Sequence, residues 1–158
     1  MTAADFRTDV TTPVTPANAA AAIILVDGQY LLQLRDNKRG VFFPGHWGCF
    51  GGGLDSGETA EAAIHRELKE ELGLALPPAR IAPFSRFDFS LDFAGLAPIF
   101  RQFFTITLDR DELARLSLGE GSDMKLFPAE DILTGAIPIT PYDAFALWFH
   151  INRARLRG

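Results

Sequence analysis

Five glutamates follow a run of three glycines in the stretch GGGLDSGETAEAAIHRELKEELGL at residues 51–74. Three of them, Glu67, Glu70 and Glu71, project from one side of a helix, because each helical residue rotates by about 100°. Like charges at this spacing repel one another and cost stability. Carboxylate oxygens are also the ligands that hard divalent ions such as Mg²⁺ or Mn²⁺ prefer. The spacing therefore indicates either a metal site or a solvated acidic helix face.

The three glycines add a feature that phosphate chemistry would use. Gly51, Gly52 and Gly53 carry no Cβ, so the backbone here can approach a metal ion or a phosphate closely. Pyrophosphate resists hydrolysis because its charge repels a nucleophile and leaves the departing phosphate poorly stabilised. Metal ions neutralise the oxygens and lower the pKa of a bound water. A site built for cations would give the repulsion among the glutamates a function.

Nine positions in this stretch fit the pattern G-x5-E-x7-R-E-U-x-E-E-x-G-U, in which U is a bulky aliphatic residue. They are Gly52, Glu58, Arg66, Glu67, Leu68, Glu70, Glu71, Gly73 and Leu74. Because every fixed position is present, the stretch resembles the signature of the Nudix hydrolases, the MutT-like family. The motif occupies residues 52–74, and the order of the other predicted elements is also similar to that of the family.

The resemblance implies an α/β/α sandwich with a mixed sheet that cleaves a nucleoside diphosphate linked to a further group, X. The implied cofactor is Mg²⁺ or Mn²⁺, bound by Glu67, Glu70 and Glu71. By the same likeness one of these glutamates, with Glu67 the first choice, takes the proton from the attacking water instead. The substrate would be a small nucleotide diphosphate, and the products a nucleoside monophosphate and phosphorylated X.

Residues around the three glutamates receive supporting roles by the same likeness. The Gly51 carbonyl stands where the family often has a backbone metal ligand. A later loop often adds an acidic ligand or base, and Glu120 in LGEGSD is the candidate, with Asp123 next; the alternative for this segment is a polar turn. The positions that would brace the loop and the helix are Gly52, Glu58, Arg66 and Gly73.

Substrate recognition requires a stacking surface and cations for phosphate. Burial competes with stacking, because most of the 14 Phe residues must lie in a core. The aromatic spacing along residues 142–151 indicates helix packing or a homodimer contact. The candidate cations are Arg35, Lys38, Arg39, Arg86 and Arg101, and the candidate stacking rings are Phe43, Trp47, Phe87 and Phe89.

Local patterns predict the elements that position these residues. A hairpin with an Asp27-Gly28 turn comes first, followed by a loop with a short strand near residues 47–50. A helix is predicted over residues 59–72, with Ser56 as its cap and Gly73 as its end. Further strands and a second helix are predicted at residues 80–91, 98–108 and 140–156. This order predicts an α/β fold with a mixed sheet between helices.

Length and composition limit the class of protein. The 158 residues, 47% of them apolar, predict a loose lead-in at residues 1–17 and one domain at residues 18–158. The net charge of -5 argues against duplex nucleic acid as a partner. The lone Cys49 reads as a packed thiol. No apolar run near the N-terminus is long enough to span a bilayer, so no membrane partner and a cytoplasmic location are expected.

The sequence therefore predicts a metal-dependent pyrophosphohydrolase with two competing substrate classes. Nucleotide sugars or related conjugates are favoured by the stretch RDNKRGVFFPGHWGCFGG at residues 35–52, which is similar to the lead-in of Nudix proteins that act on nucleotide sugars. Nucleoside triphosphates, as in MutT-like housecleaning, are the alternative. A noncatalytic nucleotide-sensing or protein-binding module is the rival from another class, and the retention of every glutamate in the motif argues against it.

Overall fold

The computed structural model describes residues 15–38 and 40–156. Most of the predicted lead-in and the recognition candidate Arg39 lie outside these residues. Within them, no helix is both long enough and apolar enough to cross a membrane.

Seven strands among the described residues form one mixed sheet. Their order across the sheet is β3-β2-β1-β6-β5, with β4 beside β1 and β7 beside β2; β1 and β6 are parallel, and the other strand pairings are antiparallel. The strands are β1 Ala19–Val26, β2 Gln29–Leu34, β3 Trp47–Gly48, β4 Phe50–Gly53, β5 Ala82–Phe89, β6 Ile99–Leu108 and β7 Asp123–Phe127.

Helices cover both faces of this sheet. Those in the described residues are α1 Ala60–Leu72, α2 Arg110–Ala114, α3 Ala129–Leu133 and α4 Pro141–Asn152. Alternation along β1 separates two cores: Ala20 and Ile24 pack with α1, whereas Ala21 and Ile23 pack with α4. The predicted α/β/α sandwich with a mixed sheet is confirmed.

The ends of α1 follow from its capping residues. Thr59, not Ser56, is the cap, and its hydroxyl accepts a hydrogen bond from the Ala62 amide at 3.1 Å. Ser56 lies one turn too early, in the bend that is closed by the Glu58 amide and the Asp55 carbonyl at 3.0 Å. Gly73 ends the helix as predicted, with a φ of 63° that glycine adopts without strain.

Two other predicted elements differ in extent. The strand predicted near residues 47–50 is two strands, because the chain leaves β2 as its neighbour and joins β1 at Cys49. The second predicted helix, over residues 140–156, ends at Asn152. On its outer face Phe145 and Trp148 are 54% and 45% exposed. The homodimer contact suggested for this helix stays a prediction.

Candidate active site

A cavity of about 1190 Å³ opens along the end of the sheet and has two chemically different ends. The acidic end lies beside α1 and the glycines of β4, and the aromatic end lies beside β5, β6 and the start of α4. The acidic end is lined by Gly51, Gly52, Gly53, Glu67, Glu70, Glu71 and Glu120. The aromatic end is lined by Phe42, Phe43, Phe87, Phe89, Arg101, Tyr142 and Phe145.

Helix α1 fixes the glutamates because its apolar stripe is fully packed. Ile64, Leu68 and Leu72 are each at most 1% exposed and lie in the core on the α1 face. The glutamates on the adjoining side are therefore carried by a rigid element, as metal coordination requires.

Glu71 is the most deeply buried of the three glutamates, at 3% exposed. One of its oxygens accepts a hydrogen bond from the Gly51 amide at 2.8 Å, and the other accepts one from the Gln33 side chain at 3.4 Å. Burial raises the pKa of Glu71 to about 7, and the nearby charges of Glu67 and Glu120 act in the same direction against the bond from Gly51. Glu71 therefore lies in an acidic, partly dehydrated corner.

Glu67 lies directly against the glycine run. A Cβ at Gly52 would come within 2.5 Å of the Glu67 Oε1 atom, so the close approach depends on glycine at that position. Burial raises the pKa of Glu67, although a hydrogen bond of 2.9 Å from Arg66 lowers it. Glu70 is more open, with 55% of its side chain exposed, and it contacts Arg66 at 3.3 Å.

Arg66 has the geometry of a brace between the loop and the helix. Its Nε and Nη2 atoms each donate to one carboxylate oxygen of Glu58 at 2.9 Å, and Nη2 also donates to the Gly53 carbonyl at 3.0 Å. The bonds from Arg66, with a further one from the Asp55 amide at 2.9 Å, lower the pKa of Glu58 to about 2. The turn before α1, the last residue of β4 and the helix itself thus meet at one guanidinium.

The loop at residues 117–121 brings Glu120 to the acidic end. The Gly119 amide donates to the Glu71 carbonyl at 2.7 Å, and the Ser117 amide donates to the Leu72 carbonyl at 3.0 Å. These bonds use carbonyls that the last turn of α1 leaves free. Asp123, the second candidate, begins β7 and does not line the cavity.

The donor set at the acidic end fits a hard divalent cation in its chemistry. It consists of carboxylate oxygens whose mutual repulsion helps to raise the pKa of both Glu67 and Glu71. Within residues 15–38 and 40–156, however, no three acidic, His or Cys side chains already stand in position to hold an ion. Glu67 faces Arg66, and Glu71 faces the Gly51 amide. These bonds leave lone pairs on both carboxylates for a metal ion, because an ionised carboxylate has about four acceptor sites.

The predicted cations fall into different places. Arg35 lines the cavity and donates from Nε to the Phe42 carbonyl at 2.6 Å. Lys38 also lines it and pairs with Asp36 at 2.9 Å. Arg101 lies at the aromatic end, although Asp143 already pairs with its charge at 2.9 Å.

Two predicted recognition residues, Arg86 and Trp47, do not line the cavity. Their role in recognition stays a prediction. Arg86 forms a pair with Asp88 at 2.8 Å and lies 3.9 Å above the centre of the Phe100 ring. Trp47 packs edge-on against Phe127 with ring centres 4.7 Å apart, as part of the core on the α4 face. Local partners therefore occupy both side chains.

Sequence reasoning missed four residues of this region. Tyr142 and Phe145 were assigned to helix packing but line the cavity, where Gln33 also lies. Asp143 is buried behind them at 1% exposed. Two signals were present: Gln33 interrupts the apolar run from Tyr30 to Leu34, and Asp143 is the one acidic residue of α4.

Comparison with known proteins identifies the family. The model of the NUDIX domain matches residues 15–147. This chain belongs to the NUDIX family. Nucleoside triphosphatase NudI from Escherichia coli O139:H28 is 47% identical over 66 residues, which are 42% of this chain and 46% of that protein. The match thus spans about half of the length of that curated NUDIX relative.

Solved structures support the same family assignment. The MutT NUDIX hydrolase from Burkholderia pseudomallei superimposes with a TM-score of 0.65 at 25% identity, covering 85% of this chain and 97% of the other. The NUDIX domain of Shewanella oneidensis NrtR, solved with ADP ribose, gives a TM-score of 0.67 at 20% identity, with coverage of 92% and 93%. The latter likeness shows the shared NUDIX fold alone.

Proposed function

We propose that this NUDIX protein is a divalent-metal-dependent pyrophosphohydrolase. Its substrate is a nucleoside diphosphate linked to a group X, and its products are a nucleoside monophosphate and phosphorylated X. The observation that carries the proposal is the acidic end of the cavity, where Glu67, Glu71 and Glu120 line one wall beside three glycines. Bound Mg²⁺ or Mn²⁺ would neutralise the anhydride oxygens and acidify a water.

The residues of the chain have distinct roles in this reaction. Glu70 and Glu71 supply oxygen ligands, and Glu67 is the first choice for the base that takes the proton of the attacking water. Arg66 holds the carboxylate of Glu67 and the carbonyl of Gly53 in one arrangement. The glycine run lets a phosphate approach the backbone, since no Cβ projects from it.

The identity of X divides the proposal into two candidates. Nucleotide sugars or related conjugates are the first, and a cavity of about 1190 Å³ with a separate aromatic end has room for a second bulky group. Nucleoside triphosphates are the second candidate, favoured by the 47% identity over 66 residues to a nucleoside triphosphatase. In both cases the scissile bond is a phosphoanhydride at the acidic end.

A substrate panel tests the activity. Nucleoside triphosphates, nucleotide sugars, ADP-ribose and dinucleoside polyphosphates are incubated with Mg²⁺ or Mn²⁺, and phosphorus NMR identifies the products. We expect Glu67→Gln and Glu71→Gln to lower kcat by at least about 100-fold, the range of lost acid–base or metal chemistry. Glu61→Gln, on an exposed position of the same helix, is the matched control and should retain the rate.

Two results would contradict the proposal. One is the absence of turnover for the whole panel while the unaltered protein still binds a nucleotide, which would favour the noncatalytic module. The other is a rate loss in Glu61→Gln equal to that in Glu67→Gln, which would show that any charge removal from α1 has the same effect.

A further inference from the structure

Arg101 is a charged side chain set into the wall at the aromatic end of the cavity, with 18% of its side chain exposed. Its Nη2 atom donates to the Asp143 Oδ1 atom at 2.9 Å. Its guanidinium carbon also lies 4.5 Å from the centre of the Tyr142 ring. The ion pair and the ring together fix the plane of the guanidinium.

Both carboxylate oxygens of Asp143 are used in hydrogen bonds within the protein. Its second oxygen accepts hydrogen bonds from the Thr140 hydroxyl at 2.8 Å and from the Cys49 amide at 3.0 Å. A Cβ at Gly48 would come within 2.8 Å of the same oxygen. Asp143 is therefore a positioning residue for Arg101. Its negative charge balances the positive charge of Arg101. Arg101 can therefore attract a ligand mainly through its N–H donors and less through its charge.

One of those donors has no partner. Among the buried side-chain nitrogen and oxygen atoms of residues 15–38 and 40–156, Nε of Arg101 is the one without a hydrogen bond. A buried donor left unpaired is costly, and native structures rarely keep one. Nε itself has almost no accessible surface, so a ligand would reach it only if the side chain turned. Nη1 makes no hydrogen bond within the part of the chain that the structure describes and is not buried, so it is the donor that an acceptor atom on a ligand in the cavity can meet directly.

The register of the sheet places Arg101 at a useful distance from the acidic end. Gly53, Ala19, Arg101 and Phe87 lie side by side in one row across four strands. Two strand spacings, about 10 Å in all, separate Gly53 from Arg101. A nucleotide covers such a span from its phosphates to the edge of its base.

The surfaces around Arg101 suit a flat ring. Phe87 and Phe145 lie with ring centres 5.4 Å apart at a tilt of 43°, and Phe145 is 54% exposed. Offset and tilted aromatic contacts are favourable for conjugated rings. The carboxylate of Asp143 is buried and fully bonded, so it does not face the cavity as a partner for amino groups.

We propose that Arg101 is a specificity-determining residue that selects nucleotides whose base presents a carbonyl oxygen. Uracil and hypoxanthine would then bind better than cytosine and adenine, which carry an amino group in place of that oxygen. This inference rests on the proposed function only in that a base-bearing nucleotide occupies the cavity.

Equilibrium binding of the monophosphates tests this selection without metal or turnover. Calorimetry compares UMP with CMP and IMP with AMP, two pairs that exchange an exocyclic oxygen for an amino group. We expect a preference for the oxygen-bearing member of about tenfold or more in at least one pair, as a hydrogen bond to a charged donor provides. A preference in the first pair alone would show that the site takes pyrimidine bases, and a preference in the second pair alone would show that it takes purine bases.

Substitution at Arg101 then tests the residue itself. Arg101→Lys keeps a cation opposite Asp143 but lacks the planar N–H donors. The ratio of the two affinities within a pair should therefore fall to about 1. Arg86→Lys is the matched control, because Arg86 lies on the neighbouring strand, pairs with Asp88 and is outside the cavity. It should keep the preference. A ratio of two affinities in one sample does not depend on the folded fraction, so partial unfolding cannot imitate the result.

The inference is overturned if neither pair shows a preference, if none of the four monophosphates binds, or if Arg101→Lys selects as the unaltered protein does. Failure of the proposed hydrolysis gives a different result. The substrate panel would then show no turnover, while the binding preference would still be measurable.

Discussion

At the scale of single residues, Arg66 has a role that another cation cannot fill. Its guanidinium bonds to both oxygens of Glu58, to the Gly53 carbonyl and to Glu67. A planar fork with several fixed donors can make these contacts at once, whereas an ammonium group is a point charge on a flexible stem. The geometry of the acidic end therefore depends on arginine at this position and not merely on positive charge.

Arg66→Lys should lower kcat by about tenfold or more while leaving the melting temperature nearly unchanged. The charge near Glu67 is retained, but the bonds that fix the turn before α1 are lost. Steady-state kinetics and thermal unfolding of the same preparation measure the two effects.

Arg80→Lys is the control, since Arg80 makes a similar fork with Glu112 at 3.1 Å for both bonds, outside the cavity. Equal kinetic losses in the two variants would remove the special role assigned to Arg66.

Single residues also show where sequence reasoning ends. The contact between Arg66 and Glu58 spans eight positions and lies within one motif, so its pattern is legible in the sequence. The pair of Arg101 and Asp143 spans 42 positions and exists only because β6 lies next to α4. Trp47 packs against Phe127, which lies far away in the sequence, so no local pattern shows that contact. Asp88 is only two positions from Arg86 on the same strand, so that pair could be read from the sequence.

At the scale of elements, the loop at residues 117–121 depends on a glycine that touches α1. A Cβ at Gly119 would lie 2.3 Å from the Glu70 carbonyl oxygen, which is backbone and has little freedom to move. Gly119→Ala should therefore displace the loop and, with it, Glu120. We expect kcat to fall by about tenfold and the free energy of unfolding to fall by about 1–3 kcal/mol. Kinetics and urea unfolding measure these changes.

Gly135→Ala is the control for Gly119→Ala, because it introduces backbone strain without a steric clash. Gly135 has a φ of 71° but no atom within 4 Å of the added Cβ. This variant should cost about 1 kcal/mol of stability with kcat unchanged. If Gly119→Ala behaves in the same way, the contact with α1 does not position the loop.

Element boundaries were predicted well where a single residue sets them. Gly73 ends α1, and the Asp27-Gly28 turn joins β1 to β2, because both depend on local backbone conformation. The cap of α1 was assigned to Ser56 instead of Thr59, because the sequence does not show that Ser56 lies in a separate bend between Asp55 and Glu58. The division into β3 and β4 could not be predicted either. It arises because β3 pairs with β2 and β4 pairs with β1, and strand pairing is not visible in the local sequence.

At the scale of the whole molecule, His150 connects α4 to two strands of the sheet. The Tyr30 hydroxyl donates to its Nδ1 atom at 2.9 Å, and the Phe84 ring lies edge-on with centres 5.1 Å apart. Burial lowers the pKa of His150 to about 4, and the Arg153 cation acts in the same direction. The folded protein therefore holds a neutral imidazole on which the α4 side of the core is packed.

This histidine makes stability depend on pH in acid. The unfolded chain binds a proton near pH 6.5, whereas the folded protein binds it only near pH 4. The contribution is thus complete above pH 6.5 and is lost as the pH falls to about 4, on the order of 1 kcal/mol after allowance for residual hydration. Urea unfolding at several pH values measures how the free energy of unfolding changes with pH. Between pH 6.5 and 4 it should fall less steeply in His150→Gln than in the unaltered protein. Equal changes of the unfolding free energy with pH in His150→Gln and the unaltered protein would refute the assignment.

The change of strand partner at Cys49 has a consequence for turnover. The Cys49 amide bonds to Asp143 beneath the aromatic end, and the Gly51 amide, two residues later, bonds to Glu71 at the acidic end. In the proposed complex, this short piece of backbone joins Asp143, which positions Arg101 for the base, to Glu71, which faces the scissile bond. Energy gained by seating the base can be used to align the carboxylates, so substrates trimmed of their base should react more slowly even at saturation.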